Sequence, residues 1–216
     1  MSNPNVVAMR KHTPDWRDDD TAGSYMKRHP PKPIQPTKLH APRKLDIACG
    51  QNKTPGFKGI DLAGNADIVW DLFQFPWPIK AGSVREIACH HFVEHIPHDI
   101  GVGKDGFFAF FEEIYRICAK GATLDIVHPF HRHDRAFWDP THHRYISDVT
   151  WYYLDKGWRE LQRLDHYGVE ADFEVVTIDA SVPDEFLVRS QQQRALQQAH
   201  YWNIIPDLHV VLRARK

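Results

Sequence analysis

The sequence contains none of the features that mark membrane or secreted proteins. No apolar run approaches the roughly 18 residues that a membrane-spanning helix needs, and the polar first residues do not resemble a secretory signal. Cysteine is scarce, since only Cys49, Cys89 and Cys118 occur, each in an apolar run, so we expect reduced core thiols rather than a disulfide scaffold. With a hydrophobic fraction of 42%, these absences predict one cytoplasmic globular domain with extensions.

Neither sign of charge dominates the 216 residues, but charge is unevenly distributed. Residues 1–44 carry 9 Lys or Arg and 4 Asp or Glu, whereas residues 45–216 carry 18 and 24. Seven of the 15 prolines lie within residues 1–42, which disfavours helix there. We therefore predict a basic, proline-rich arm over residues 1–40 and a globular domain over residues 41–216. The arm suits contact with nucleic acid, an acidic partner or its own domain, and equally a solubilising tail.

From Lys44 onwards, short apolar runs alternate with amphipathic stretches. Seven strands are predicted, over residues 44–49, 57–62, 66–70, 84–89, 124–127, 173–178 and 208–214. Three helices are predicted, over residues 104–119, 147–164 and 185–199. Gly121 is expected to end the first helix, and Ser147 to cap the second. This alternation predicts an α/β fold: a Rossmann-like, doubly wound, seven-stranded sheet, mostly parallel with the last strand antiparallel.

One strand that ends in glycine is followed by a strand that ends in an acid. Leu45-Asp46-Ile47-Ala48-Cys49-Gly50 is the first, and Lys58-Gly59-Ile60-Asp61 is the second. A glycine at the carboxyl end of a parallel strand lets backbone N–H groups approach a ligand closely. An acid at the tip of the next strand accepts the hydroxyls of a ribose. Together they predict a nucleoside-binding site.

Three further runs follow in order along the chain. They are Asp71-Leu72 with Phe75-Pro76-Trp77-Pro78, then His91-Phe92-Val93-Glu94-His95-Ile96-Pro97, and then Glu112 to Ala122 leading into the fifth strand. With Leu45–Gly50 and Gly59–Leu62, these runs resemble the class I S-adenosylmethionine-dependent methyltransferases. The resemblance covers about residues 43–129 in motif and 43–216 in layout. It implies an enzyme that binds S-adenosylmethionine and transfers its methyl group.

The glycine loop departs from the usual pattern of that family in two ways. Ala48 stands where the first glycine is usual, and only 11 positions separate Gly50 from Asp61. In dinucleotide folds the acid usually lies about 20 residues on. We therefore expect the loop Gln51–Phe57 to replace most of the first helix, as in a branch of the family with a similar loop.

The resemblance places the cofactor at the carboxyl ends of the first four strands. Asp61 is expected to bind the ribose hydroxyls, and Asp71 to contact adenine with Leu72 packing on the ring. Asp46 is expected to bond loop N–H groups or the methionine amino group. The expected cofactor-binding residues are Asp46, Ala48, Cys49, Gly50, Asp61, Leu62, Asp71, Leu72 and His90. Turn formation is the simpler alternative for the acids.

Histidines supply the candidate catalytic groups. His90 and His91 follow the fourth strand, where the methyl group and the acceptor should meet, and a neutral imidazole there suits a general base. His131 is a third candidate, and a hydrogen-bonded structural histidine remains the alternative. Glu94 and His95 are interpreted first as polar groups at a helix end and only second as site residues.

Residues 128–146, the histidine loop, include five of the 15 histidines and follow the fifth strand on the ligand side of the sheet. A divalent metal site is one interpretation, because the first three histidines with the later His-His pair and the acids of the loop could supply three ligands. The spacing matches no standard zinc signature, so no residue is assigned to a metal and a substrate-facing lid is favoured. The expected substrate-binding residues are His128, Arg132, Asp139, His142 and Arg144. A folded-over loop whose histidines bond backbone groups is the simpler alternative.

The predicted function is S-adenosylmethionine-dependent methyl transfer to an oxygen or nitrogen of an unidentified small-molecule or surface-exposed acceptor. A nucleic-acid methyltransferase that uses the basic arm is less favoured. Cys89-His90-His91-Phe92 stands where enzymes that methylate base amines carry Asn/Asp-Pro-Pro-Tyr/Phe. A non-catalytic cofactor-binding interaction module is the alternative from another class. No membrane partner is expected, and the sequence does not predict the oligomeric state.

Overall fold

The computed structural model describes residues 39–62, 65–182, 186 and 188–216. The arm predicted over residues 1–40 lies almost wholly outside the described residues, so its boundary with the domain stays a prediction. None of the described helices combines the length and the apolar character that crossing a membrane requires. All three cysteines are buried and none forms a disulfide, as expected for core thiols.

The described residues form one seven-stranded sheet in the order β3-β2-β1-β4-β5-β7-β6. The strands are β1 (Lys44–Ile47), β2 (Lys58–Asp61), β3 (Ile68–Val69), β4 (Val84–His90), β5 (Cys118–Pro129), β6 (Phe173–Ala180) and β7 (Asp207–Ala214). The last strand, β7, pairs antiparallel with β5 and β6, and the other neighbouring pairs are parallel. The predicted α/β fold with an antiparallel last strand is confirmed.

The core lies on the face of the sheet that the helix α1 (Gly106–Ile117) covers. Burial follows the two-residue period of a strand, since Leu124 and Ile126 of β5 are fully buried while Asp125 between them is exposed. The helix begins after Asp105, whose Oδ1 accepts the N–H of Phe107 over 2.9 Å. Its Phe111 is fully buried, and burying such a side chain stabilises the fold by about 1.5–3 kcal/mol.

The role predicted for Gly121, as the residue that ends the first helix, was wrong. The helix runs over Gly106–Ile117 rather than 104–119, and Gly121 lies inside β5 instead of ending the helix. The reason is the sheet: Cys118 pairs with Val84 of β4 directly after the helix, so strand hydrogen bonding takes over at once. As a result, β5 is longer than the predicted 124–127 and includes His128. The other six strands agree with prediction within two residues at each end.

The later helices also differ from prediction. The histidine loop contains a short helix, α2 (Arg135–Trp138). The helix predicted over 147–164 is a 3₁₀ helix, Val149–Leu154, followed by α3 (Lys156–Gln162), because Asp155 breaks the run and accepts the N–H of Trp158 over 3.1 Å. The polar helix predicted over 185–199 is α4 (Gln191–His200), capped by Ser190. Residues 183–185 and 187 lie outside the described range.

Candidate functional site

A cavity of about 350 Å³ lies at the carboxyl ends of β1, β2 and β4 and at the turn after β3. We call it the strand-end cavity. It is lined by Ala48, Asp61, Leu62, Asp71, Leu72, Phe73, His91, Phe92 and His95. Ligands of open α/β sheets bind at this edge, and the volume lies within the range of small-molecule sites.

Asp61 joins the glycine loop to the second strand. The N–H of Gly50 donates to Asp61 Oδ2 over 2.9 Å. Gly50 has a φ of 49°, in the left-handed region that glycine adopts without steric cost. The Asp61 carboxylate is thereby held in a defined orientation at the wall of the strand-end cavity.

Two of the expected cofactor residues, Asp46 and Cys49, support the loop and do not line the cavity. Asp46 is buried, and its Oδ2 accepts the N–H of Thr54 over 2.6 Å. Cys49 packs against Gly59, where a Cβ would come within 2.4 Å of the Cys49 sulfur. Between β1 and β2 the chain forms turns rather than a helix. These contacts keep the short loop in place without the usual first helix.

Two phenylalanines form a flat wall beside Asp71. Asp71 Oδ1 accepts the N–H of Phe73 over 2.9 Å, in an Asx turn. Phe73 and Phe92 stack with their ring centroids 5.9 Å apart and their planes 20° apart. An apolar wall with a carboxylate at its edge suits a flat heterocycle. The sequence does not by itself assign these two phenylalanines to the site, because aromatic residues pack cores as often as they line pockets.

His91 is the one candidate catalytic histidine that lines the cavity. Its φ of 52° is uncommon for a residue with a side chain, and such backbone strain is concentrated at functional sites. Its Nδ1 lies 3.7 Å from Oε1 of Glu94, whose side chain is buried. Interaction with Glu94 raises the pKa of His91 above its ordinary value, against the opposing effect of burial.

The other two candidate catalytic histidines lie away from the cavity. Successive residues of an extended chain face opposite sides, and His90 points to the exposed face of the sheet. There its Nε2 lies 3.4 Å from Oδ1 of Asp125, which also pairs with His209 over 2.7 Å. In the histidine loop, the N–H of His131 donates to the carbonyl of Ile146 over 3.2 Å, and burial lowers the pKa of the His131 side chain.

Two candidate substrate residues have structural partners instead. His128 is fully buried, where its Nδ1–H donates to the carbonyl of Pro129 over 2.9 Å and its Nε2 accepts the indole N–H of Trp151 over 3.2 Å. Burial lowers the pKa of His128 to about 4. Arg132 donates to the carbonyl of Ala199 over 3.0 Å, at the carboxyl end of α4. Neither side chain lines the strand-end cavity.

The second half of the histidine loop is attached to the segment after β4. The N–H groups of His143 and Arg144 both donate to the carbonyl of Glu94, over 2.8 and 3.0 Å. The rings of His142 and His95 meet edge to face with centroids 4.7 Å apart. Because His95 lines the strand-end cavity, the loop and the cavity adjoin here. Only the placement of Glu94 and His95 directly after a strand end could have indicated this in the sequence.

A larger cavity, of about 560 Å³, lies at the start of α1. It is bordered mainly by aromatic side chains, with Asp105 and Arg144 among its polar groups. Arg144 is already engaged, donating through Nε to the carbonyl of Ile96 over 2.6 Å. Neither Asp61 nor Asp71 borders this cavity. The acids expected to bind the cofactor therefore lie at the smaller strand-end cavity.

One solved structure places the fold among known proteins. The chain is similar to a SAM-dependent methyltransferase from Archaeoglobus fulgidus, with a TM-score of 0.53 and 16% identity, covering 89% of this chain and 92% of that chain. It is also similar to a SAM-dependent methyltransferase from Mesorhizobium loti, with a TM-score of 0.46 and 13% identity, covering 82% and 92%. No protein-family model matches the chain, and no curated protein matches its sequence. The first similarity shows that the chain has the fold of the SAM-dependent methyltransferases, as the motifs predict.

Proposed function

We propose that this protein is an S-adenosylmethionine-dependent methyltransferase that acts on an oxygen or nitrogen nucleophile of a small-molecule or surface-exposed acceptor. The observation that carries the proposal is the convergence of Asp61, Asp71 and His91 on one cavity at successive strand ends. The shared fold supports the same function. Fold alone does not establish activity, so the assignment depends on the site.

The lining of the strand-end cavity fits S-adenosylmethionine. Asp61 presents a carboxylate at the tip of β2, where it can accept both ribose hydroxyls. The stacked Phe73 and Phe92 offer an apolar face for the adenine ring. Asp61 and Asp71 make the lining acidic, which complements a sulfonium cation. When bound, S-adenosylmethionine supplies an electrophilic methyl group.

The protein's own part is to orient the acceptor, exclude water and remove a proton. His91 is the residue placed for the proton transfer, because it lines the cavity at the end of β4. Since its Nδ1 faces Glu94, Nε2 is the nitrogen that would take the proton from an acceptor hydroxyl or amine. The Glu94 carboxylate then pairs with the protonated ring.

Titration calorimetry of the purified chain with S-adenosylmethionine and S-adenosylhomocysteine tests the proposal. We expect saturable binding of both at one site per chain. ATP is the control ligand, since it shares the adenosine but carries phosphates that an acidic cavity disfavours, and it should bind much more weakly. No heat with either S-adenosylmethionine or S-adenosylhomocysteine, measured at two temperatures, would remove the proposal.

A further inference from the structure

We propose that Glu94, His95 and His142 bind a divalent transition-metal ion of the zinc class, directly beside the strand-end cavity. One possible ligand atom from each residue lies within 4.8 Å of the other two. Ligand atoms around a tetrahedral zinc ion lie about 3.4 Å apart, given bond lengths of about 2.0–2.2 Å. Small side-chain rotations would therefore bring the three atoms to one ion.

The backbone holds the two halves of this site together. Glu94 and His95 belong to the 3₁₀ helix Val93–His95 that follows β4, and His142 comes from the histidine loop. The N–H groups of the two residues after His142 both donate to the carbonyl of Glu94. The site is thus built from two distant segments that main-chain hydrogen bonds fix to each other.

Glu94 has a carboxylate oxygen that lacks a protein partner. The residue is 2% exposed, and no described residue hydrogen-bonds to its Oε2. Its Oε1 faces His91 Nδ1 at 3.7 Å, which leaves Oε2 as the atom without a role. A buried carboxylate oxygen without a partner is costly, and a coordinated cation would remove that cost.

Hydrogen bonds hold both imidazoles in the form that binds metal. His142 Nδ1–H donates to the carbonyl of Ala136 over 2.8 Å. The Thr141 hydroxyl donates to Asp139 Oδ1 over 2.7 Å, so it must accept from His95 Nδ1–H, 3.0 Å away. In the neutral tautomer that these bonds select, Nε2 of each ring carries the lone pair that can bind a metal. A metal-bound histidine typically donates its other N–H in just this way, to a carbonyl or to a carboxylate relay.

Two imidazoles and one carboxylate are the ligand set of zinc sites that keep an open position. His95 also lines the strand-end cavity, so the ion would lie next to the acceptor. There the ion could hold an acceptor hydroxyl or amine in position for the methyl group. This role, unlike the site itself, rests on the proposed methyl transfer.

Metal binding by protein without a histidine tag tests the site. Stripped protein is titrated with Zn²⁺ against a chromophoric chelator, and with Co²⁺ while its visible absorption is recorded. We expect one equivalent of Zn²⁺ per chain and a Co²⁺ spectrum of low coordination number. Less than a tenth of an equivalent, or a Co²⁺ spectrum identical to the aqueous ion, would overturn the proposal.

Variants locate the ion. His142→Gln and Glu94→Gln should each weaken Zn²⁺ binding by more than about 100-fold, and Thr141→Val by about 10–100-fold. His143→Gln, the exposed neighbour outside the cluster, is the matched control and should bind as the native chain does. An equal loss of Zn²⁺ affinity in His143→Gln, or no loss of affinity in His142→Gln, would place the ion elsewhere. Calorimetry with S-adenosylhomocysteine on the same samples separates failure of the metal site from failure of the proposed function.

Discussion

The strand-end cavity and the first half of the histidine loop both carry polar side chains that hydrogen-bond to the protein, but only those of the cavity also border open space. Asp61 and Asp71 accept the N–H groups of Gly50 and Phe73 and line the cavity at the ends of strands. In the loop, His128 and Arg132 hydrogen-bond to neighbouring protein groups. The difference arises because a loop folded over a domain meets backbone carbonyls and rings whose polar atoms need partners. Residue type alone therefore does not identify a site residue; its burial and its partners do.

Replacing His128 is the strongest test of the structural role that the loop side chains have. We expect His128→Ala to lower the free energy of unfolding by about 4 kcal/mol, because it leaves a cavity and an unpaired Trp151 N–H in the core. Urea denaturation measures the loss. His143→Ala, at an exposed position, should change stability by less than about 0.5 kcal/mol. A His128→Ala chain of native stability that no longer binds the cofactor would move His128 into the site.

The pH dependence of stability tests the same residue without a mutation. Because burial lowers the pKa of His128 to about 4, the unfolded chain binds this proton at a higher pH than the folded chain. The contribution of neutral His128 to the free energy of unfolding is complete above about pH 6.5. It falls by up to about 3 kcal/mol as the pH drops toward 4. Unfolding free energies measured across this window should show the slope, and His128→Ala should lose it. An unchanged slope in the variant would assign the proton to another group.

Asp61→Ala tests the ligand-binding role of the strand-end cavity. We expect binding of S-adenosylhomocysteine to weaken by about 2 kcal/mol, or about 30-fold, since hydrogen bonds to a charged group are lost. The same change also removes the acceptor of the Gly50 N–H and loosens the loop. Calorimetry measures the affinity.

Asp125→Ala is the control for that change. Asp125 is an exposed acid on the sheet, paired with His209 and absent from the cavity lining. Its removal should leave the affinity within about twofold, because exposed ion pairs contribute at most about 1 kcal/mol even to stability. Equal affinities of Asp61→Ala and the native chain would show that the ribose site lies elsewhere.

The smallest expected effect concerns Arg132. Arg132→Ala should destabilise α4 by about 0.3–1 kcal/mol, because the cation at the carboxyl end of the helix is lost. Hydrogen exchange should show faster exchange confined to α4, with cofactor affinity unchanged. A drop in cofactor affinity without faster exchange would instead place Arg132 at the ligand site.

Several features could be predicted because their causes lie within a few residues. The alternating apolar pattern predicted all seven strands, and the acid at the tip of β2 was found from its place at the end of one of them. The early start of β5 could not be predicted, because it depends on the pairing of Cys118 with Val84, and no local pattern reports that pairing. The hydrogen bond between His128 and Trp151 could not be predicted for the same reason, since Trp151 belongs to a later element.

The positions of the seven strands and of the acid at the tip of β2 thus follow from short-range periodicity and from the chemistry of strand ends. The meeting of Glu94 and His95 with His142, 47 positions beyond His95, depends on the folded chain. It requires β4 and β5 to lie side by side and the histidine loop to return across their ends, where the carbonyl of Glu94 accepts two N–H groups from that loop. Such contacts form only when the whole sheet is assembled, because their energy comes from partners far apart in the chain.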